Sequence, residues 1–380
     1  MSDRSPMRDQ SPSSAREQAV RAALAAVADP ELHRPVTELG MVGEVREGRR
    51  GRMRVRILLT TAGCPLKERL EADVEAAVRA VPGVRDVTVE FAAMTARQRA
   101  ELGDRLRAES PRVRGALAGD GPAVYAVASG KGGVGKSTVT ANTAVALARA
   151  GHRVGVVDAD VWGPSIPLLF GVERPPVALG GAMLPVEAHG VRLMSTGFFT
   201  GGTEPLVWRG PMLHKALQQF LDDVHWGELD VLLVDLPPGT GDISISLLEL
   251  VPDARVVVVT TPQPAAQRVA ERAGRMAADL GVAVAGAVEN MSGYACECGR
   301  RAPLFGTGGG DALAAALDVP LLGRIPLDMG LRESGDTGVP VVAAHPGSPS
   351  ARALGDVARS LPLRAARRSL VGVSLPLSPV

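Results

Sequence analysis

Apolar positions along residues 14–92 switch between two periods, and each switch marks an element. Val20, Leu24 and Val27 recur at helical intervals behind Ser14 and Glu17, which have capping-box spacing. Asp29-Pro30 stops that helix, because proline disfavours helical geometry in the residue before it. Residues 52–59 read RMRVRILL. Met53, Val55, Ile57 and Leu59 alternate with Arg52, Arg54 and Arg56, predicting a half-buried strand with a basic outer face. Leu70, Val74, Ala77 and Val81 predict a second helix, and Val87, Val89 and Phe91 a second strand. This succession predicts a small α+β domain over 14–92. Residues 1–13 are Ser, Pro and charge, the composition of a disordered tail. The charged, Ala/Gly-rich stretch 93–121 reads as a linker with partial helix.

From residue 123 the texture changes. Apolar runs appear at 123–128 (AVYAVA), 153–157 (RVGVV), 231–234 (VLLV), 255–260 (RVVVVT), 282–288 (VAVAGAV) and 320–325 (PLLGRI). Helical patterns lie between them, such as Val269, Ala273, Met276 and Leu280. Apolar strands alternating with helices predict an α/β domain over 122–362, built on a mostly parallel sheet covered on both faces. The stretch 363–380 is basic and then broken by prolines, and reads as a flexible tail.

Composition narrows the function classes. Net charge is +1 and aromatics are 3%, which supplies neither the basic field nor the stacking platform of a nucleic-acid binder. No apolar run reaches the roughly 18–20 residues of a membrane span, and the polar opening lacks the apolar core of a secretory signal. The three cysteines, Cys64, Cys296 and Cys298, are too few and too uneven for a disulfide framework. A cytoplasmic protein with no membrane or nucleic-acid partner is expected.

The strongest chemical signal is SGKGGVGKST, residues 129–138. It follows an apolar strand and precedes an Ala/Leu helix, the setting of a phosphate-binding P-loop. Gly130, Gly132, Gly133 and Gly135, with the Val134 backbone, allow N–H groups to wrap a phosphate chain that a Cβ would obstruct. The following helix adds its positive dipole end. Lys136 neutralises phosphate charge, the Ser137 hydroxyl is suited to Mg²⁺, and Thr138 is counted with the cofactor-binding residues of the same stretch. Lys131 is not required by that pattern and reads either as a solvated lysine or as a class signature. It marks the deviant class that resembles MinD, ParA and the nitrogenase iron protein, which implies a lysine crossing a homodimer to the partner's nucleotide.

Acidic residues leave two neighbouring strands. Asp158 and Asp160 lie in VVDADVWGPS, and Asp235 leads VLLVD into LPPGTGD. An acid at the carboxyl end of a strand beside the loop suits the Mg²⁺ shell, and Asp235 is assigned there. The class resemblance implies that Asp160 positions the attacking water. Gly239, Gly241 and Asp242 are expected to form the switch that senses the terminal phosphate. There is no N-K-x-D signature for guanine; Asn290 can donate and accept to an adenine edge, with the Pro326 turn as a second wall, so ATP is the expected nucleotide.

Cys296 and Cys298 are a close thiol pair, half a coordination shell, with no nearby histidine to complete a zinc site. Two subunits contributing two thiolates each would supply the four that a [4Fe–4S] cluster requires. Zinc binding and a pair of inert loop thiols stand beside that reading. Cys64 precedes a predicted helix, where a thiol pKa falls, and reads either as a reactive thiol or as a small buried side chain.

These residues resemble the Mrp/ApbC family of ATP-dependent iron–sulfur cluster carriers. The resemblance rests on SGKGGVGKST, VDADVWGPS, WRGPM at 208–212, VDLPPGTGD at 234–242, TTPQ at 260–263, ENMSGY at 289–294 and the following FGTGGG. Residues 20–92 are similar to the small iron–sulfur assembly domain often fused ahead of such ATPases, through Asp29-Pro30-Glu31, Leu39–Val42 and Thr60-Thr61-Ala62-Gly63-Cys64-Pro65. The resemblance implies a MinD/ParA-like P-loop fold and a homodimer. It implies ATP turnover, with Lys131, Lys136, Asp160 and Asp235 as catalytic groups. It also implies a labile [4Fe–4S] cluster on Cys296 and Cys298, passed to apo-proteins after receipt from cluster donors. One departure is plain: the family spaces its thiols C-x-x-C, whereas here a single Glu297 separates them. The competing reading is a MinD/ParA-like positioning or adaptor switch without a cluster. A nucleotide-gated reductase fits less well, since its cysteines occur singly.

Overall fold

The computed structural model describes residues 14–30, 32–60, 67–109, 121–199, 210–295 and 301–363. The tails at 1–13 and 364–380, Glu31, Cys64, Cys296, Cys298 and Trp208 lie outside the described residues, as does the side chain of Asp242. The chain forms two units, residues 1–109 with 177–184, and the remainder. No helix among the described residues is long and apolar enough to cross a membrane.

In the first unit, helix α1 (Ala15–Ala23) opens at the expected capping box. Ser14 Oγ accepts the Glu17 N–H at 3.1 Å, and Glu17 Oε2 accepts the Ser14 N–H at 3.0 Å. Strands β1 (Val42–Glu47), β2 (Arg52–Leu59) and β3 (Asp86–Ala93) form one sheet with β2 central, antiparallel to β1 and parallel to β3. The β2 alternation holds, with Met53, Val55, Ile57 and Leu59 buried. Its outer face is not a free basic patch, however. Register sets Arg52 against Asp86 at 3.0 Å, and Arg54 and Arg56 both reach Glu90, at 3.2 and 3.1 Å. Helix α2 (Lys67–Arg79) buries Leu70, Val74 and Val78, so Val78 takes the place expected of Ala77, and Val81 is buried beyond the helix end.

The stretch read as a linker contains helix α3 (Ala96–Glu109), with Leu102 and Leu106 buried. They share a core with Leu179 and Leu184 of a hairpin from far along the chain, β6 (Val177–Leu179) and β7 (Ala182–Leu184). Backbone meets backbone there: a Cβ on Gly103 would lie 2.0 Å from the Leu179 carbonyl oxygen.

The second unit is built on an eight-stranded sheet. Six strands occupy the expected runs: β4 (Ala123–Ser129), β5 (Val154–Asp158), β10 (Val231–Asp235), β11 (Arg255–Thr260), β12 (Ala283–Glu289) and β15 (Leu321–Arg324). Two more, β8 (Val186–Ala188) and β9 (Val191–Ser195), extend one edge. The order is β15-β12-β11-β4-β10-β5-β9-β8, parallel throughout except for β8 against β9. Parallel pairing brings the carboxyl ends of β4, β5, β10, β11 and β12 to one edge, where an open α/β sheet places its ligand. Around it run α4 (Lys136–Arg149), α5 (Ile166–Leu169), α6 (Gly210–Asp222), α7 (Asp242–Leu250), α8 (Pro264–Asp279), α9 (Gly309–Leu317), α10 (Met329–Asp336), α11 (Val341–Ala344) and α12 (Pro349–Ser360). Strands β13 (Tyr294–Ala295) and β14 (Arg301–Ala302) form a separate short ladder.

Alternation along β4 sends Tyr125 and Val127 into a core shared with α4 and α12. On α8 the buried stripe is Ala266, Ala270, Ala273, Gly274 and Ala277. Of the apolar positions expected there only Ala273 is buried, and Leu280 is exposed. Small residues win because α9 approaches closely: a Cβ on Gly274 would lie 2.4 Å from Leu317 Cδ1.

Candidate functional site

The P-loop joins β4 to α4. Gly133 and Gly135 have φ of +79° and +81°, which a side chain would strain. The glycines divide by what surrounds them. A Cβ on Gly130 would meet the Val269 carbonyl carbon of α8 at 2.2 Å, whereas one on Gly132 or Gly133 meets nothing within 4 Å. Gly130 therefore serves packing, and Gly132 and Gly133 keep the space over the loop clear. Gly130→Ala is expected to destabilise the fold by about 1–3 kcal/mol through overpacking. Gly132→Ala should change stability by less than about 0.5 kcal/mol. Urea midpoints with nucleotide titrations check this pair; equal stability losses would contradict the division.

Below the loop lies a buried ionic knot. Lys136 Nζ donates to Asp235 Oδ2 at 2.6 Å, lies 3.2 Å from Ser137 Oγ, and stands 4.0 Å from Asp160 Oδ2. Asp235 also accepts from Ser137 Oγ at 2.5 Å and from Thr140 Oγ1 at 2.7 Å. Thr140, one helical turn after Lys136, escapes a motif reading; its i, i+4 spacing from the lysine was the available signal. Asp160 Oδ1 is buried with no hydrogen-bond partner among the described residues. An acceptor left open beside a lysine, under a cleared glycine loop, fits a polar ligand. Burial raises the Asp160 pKa, against the pull of Lys136.

Asp158 is not part of that cluster of side-chain bonds. Its Oδ2 accepts from Ser195 Oγ at 3.0 Å and from the Ile166 N–H at 3.2 Å, and its Oδ1 accepts the Asp160 N–H at 3.2 Å. It thereby shapes the loop that carries Asp160. Ser195 comes from β9, a strand the apolar-run reading missed. Burial, and then the charge of Asp235, push Asp158 from 3.8 up to about 7. The folded state therefore binds the proton more tightly than the unfolded chain. Stability contributed by protonated Asp158 is present below the unfolded value and declines as pH rises through about 7. Asp158→Asn should flatten the fall in urea midpoint between about pH 4 and about pH 7. An unchanged pH dependence would refute the assignment.

The remaining expected residues are dispersed around this centre. Lys131 is exposed, with Nζ 3.4 Å from Gln263 Oε1. Gly239, at φ +90°, donates its N–H to the Ser129 carbonyl at 2.8 Å, tying the expected switch to the root of the loop. Asn290 and Pro326 line a cavity of about 630 Å³ together with Gly135 and Thr138. The Asn290 amide donates to the Val134 carbonyl at 2.8 Å, so this side chain braces the loop as well as walling the cavity.

Comparison with known proteins places this geometry. Residues 122–362 match the family described as NUBPL iron-transfer P-loop NTPase, and 17–91 the family described as iron-sulfur cluster assembly protein. The chain belongs to the Mrp/ApbC-type iron–sulfur cluster carrier family. It is 50% identical over 369 residues to the iron-sulfur cluster carrier protein of Mycobacterium tuberculosis H37Rv, covering 95% of this chain and 96% of that one. It is 42% identical over 360 residues to the protein of the same name from Synechocystis, covering 93% and 99%. Among solved structures it resembles the Archaeoglobus fulgidus nucleotide-binding protein in complex with ADP, at 41% identity and a TM-score of 0.51, over 57% of this chain and 86% of that one. Within this carrier-family chain, the P-loop unit thus follows an assembly-type unit.

Proposed function

We propose that the protein binds and hydrolyses ATP to carry a labile [4Fe–4S] cluster and pass it to apo-proteins. The observation that carries the nucleotide half is the buried knot of Lys136, Ser137 and Asp235 beneath the glycine loop. Lys136 exchanges Asp235 for phosphate oxygens when nucleotide binds, and the loop N–H groups take the phosphate chain. The adenine lies between Asn290 and Pro326. Ser137 and Asp235 offer two adjacent oxygens of the kind Mg²⁺ prefers, and the ion supplies charge neutralisation at the phosphates. Asp160 orients a water for attack on the γ-phosphorus; the bond to the bridging oxygen breaks, leaving ADP and phosphate. Lys131, exposed at the loop, serves the partner's nucleotide in a homodimer.

The cluster half rests on family membership and on the thiol pair. Cys296 and Cys298 from two subunits provide four thiolates for a cluster that is cargo, received from donors and released to clients. Cys64 is proposed as an accessory thiol of the assembly-type unit. Anaerobic reconstitution with iron and sulfide tests the reading: about four irons per dimer and a visible cluster spectrum are expected. No bound iron beside intact ATP binding would replace it with a nucleotide-dependent adaptor switch.

A further inference from the structure

Hairpin β6–β7 belongs to the first unit, yet the chain leaves the second unit after Pro176 to form it and re-enters at Pro185. Its turn is Leu179-Gly180-Gly181-Ala182, with φ of +51° and +89° at the two glycines, a two-residue turn that sets Leu179 opposite Ala182. Leu179, Ala182 and Leu184 are buried. The seat on α3 leaves no slack. Beside the Gly103 contact, a Cβ on Gly180 would lie 2.6 Å from the Ala100 carbonyl oxygen. Backbone packed on backbone has no rotamer to yield, so α3 and the hairpin move as one piece.

Both ends of the excursion that carries the hairpin close on one carboxylate oxygen. Asp158 Oδ2 accepts the Ile166 N–H where α5 begins and the Ser195 hydroxyl where β9 ends. Oδ1 of the same group accepts the Asp160 N–H. The return path is short: Pro185 alone separates β7 from β8, and its ring fixes φ. Strand β8 pairs with β9, Val186 opposite Leu193, and β9 lies parallel to β5 with Ser195 opposite Asp158. Pro175 and Pro176 stiffen the entry. Filling a core explains why Leu179 and Leu184 are apolar. It does not require that the segment supplying them be stiff at both ends and tied to the group that holds the Asp160 loop.

We propose that hairpin β6–β7 is a strap coupling the assembly-type unit to the Asp160 loop, so that displacement of α3 shifts Asp158 and with it Asp160. The consequence for hydrolysis rests on the reading of Asp160 as the group that orients the attacking water. Such coupling is reciprocal: what nucleotide does to the Asp160 loop is felt at the hairpin, and what shifts the hairpin changes nucleotide affinity by the same factor.

The test uses the full chain as wild type, Gly103→Ala, Pro185→Gly and the double variant, read by hydrogen exchange and mass spectrometry. Gly103→Ala pushes the hairpin from its seat, and Pro185→Gly puts slack in the return path. In nucleotide-free protein, Gly103→Ala is expected to speed exchange in peptides spanning 159–169 about 5-fold or more, since these carry the Asp160 and Ile166 N–H groups held by Asp158. Adding Pro185→Gly should restore the slower exchange. Altered exchange at 177–184 with none at 159–169 would overturn the proposal, as would equal acceleration with and without Pro185→Gly. Should Gly103→Ala fail to fold, Leu184→Ala takes its place, because it shortens one side chain and leaves the backbone seat intact. In wild type, ADP with Mg²⁺ should slow exchange at 177–184 by about 5-fold or more; bound ADP with no change there overturns the strap. If ADP does not bind, the nucleotide reading fails, and the nucleotide-free comparison alone judges the coupling.

Discussion

Lys136→Ala is expected to abolish measurable ATP turnover and to destabilise the nucleotide-free protein by about 3–5 kcal/mol. The two effects have different origins. In the proposed mechanism turnover is lost because the ammonium that would neutralise developing phosphate charge is gone; removing one such group costs about 10²–10³-fold or more. Stability is lost because Lys136 and Asp235 are 6% and 0% exposed and 2.6 Å apart. Without the lysine, the partners left to this buried carboxylate among the described residues are the hydroxyls of Ser137 and Thr140. Adding Asp235→Asn removes the stranded charge, so the double variant should regain most of the stability and none of the turnover. Urea midpoints and phosphate release measure the two quantities separately. Strictly additive stability losses would show that the pair is not coupled, and wild-type turnover in Lys136→Ala would remove the loop from the chemistry.

The double variant Cys296→Ala/Cys298→Ala is expected to fall from about four irons per dimer to nearly none, while ATP binding persists. Removing both thiols from each subunit takes away every cysteine ligand of a bridging cluster. The Lys136–Asp235 knot is formed by α4 and β10, which these substitutions do not touch. Cys64→Ala should retain the cluster. Iron assay, the visible spectrum and native mass decide the matter. Iron retained by the double variant would move the ligands elsewhere. Retention in wild type would make the one-residue Cys-Glu-Cys spacing a workable chelate, in which the ligands close a shorter loop than C-x-x-C.

The parts legible in the sequence share a physical property: each is written in short-range pattern. Six of the eight sheet strands are runs of apolar residues, and the central ones, β4, β5, β10 and β11, are buried on both faces, where a strand cannot alternate. The edge strand β8 and its inner neighbour β9, where Arg192 interrupts the apolar run, were missed, and Ser195, which steadies Asp158, was missed with them. The P-loop was legible because glycine backbone freedom, a lysine and a hydroxyl must fall at fixed offsets to wrap one phosphate chain. Lys131 and Asn290 were legible as residues, but not in their present contacts with Gln263 and the Val134 carbonyl.

The sequence by itself determined the two-part α/β character, the strand runs, the phosphate loop and the acids at the strand ends. Tertiary structure alone decided the rest. It sent hairpin 177–184 into the core of the first unit, where Leu179 and Leu184 meet Leu102 and Leu106. It made the buried face of α8 alanine and glycine, because α9 lies close enough to exclude larger side chains. It brought the Ile166 N–H and the Ser195 hydroxyl to one oxygen of Asp158. Periodicity reports which side of an element is buried, whereas the identity of what covers it depends on segments far along the chain. No local pattern encodes that pairing, and only the closed fold supplies it.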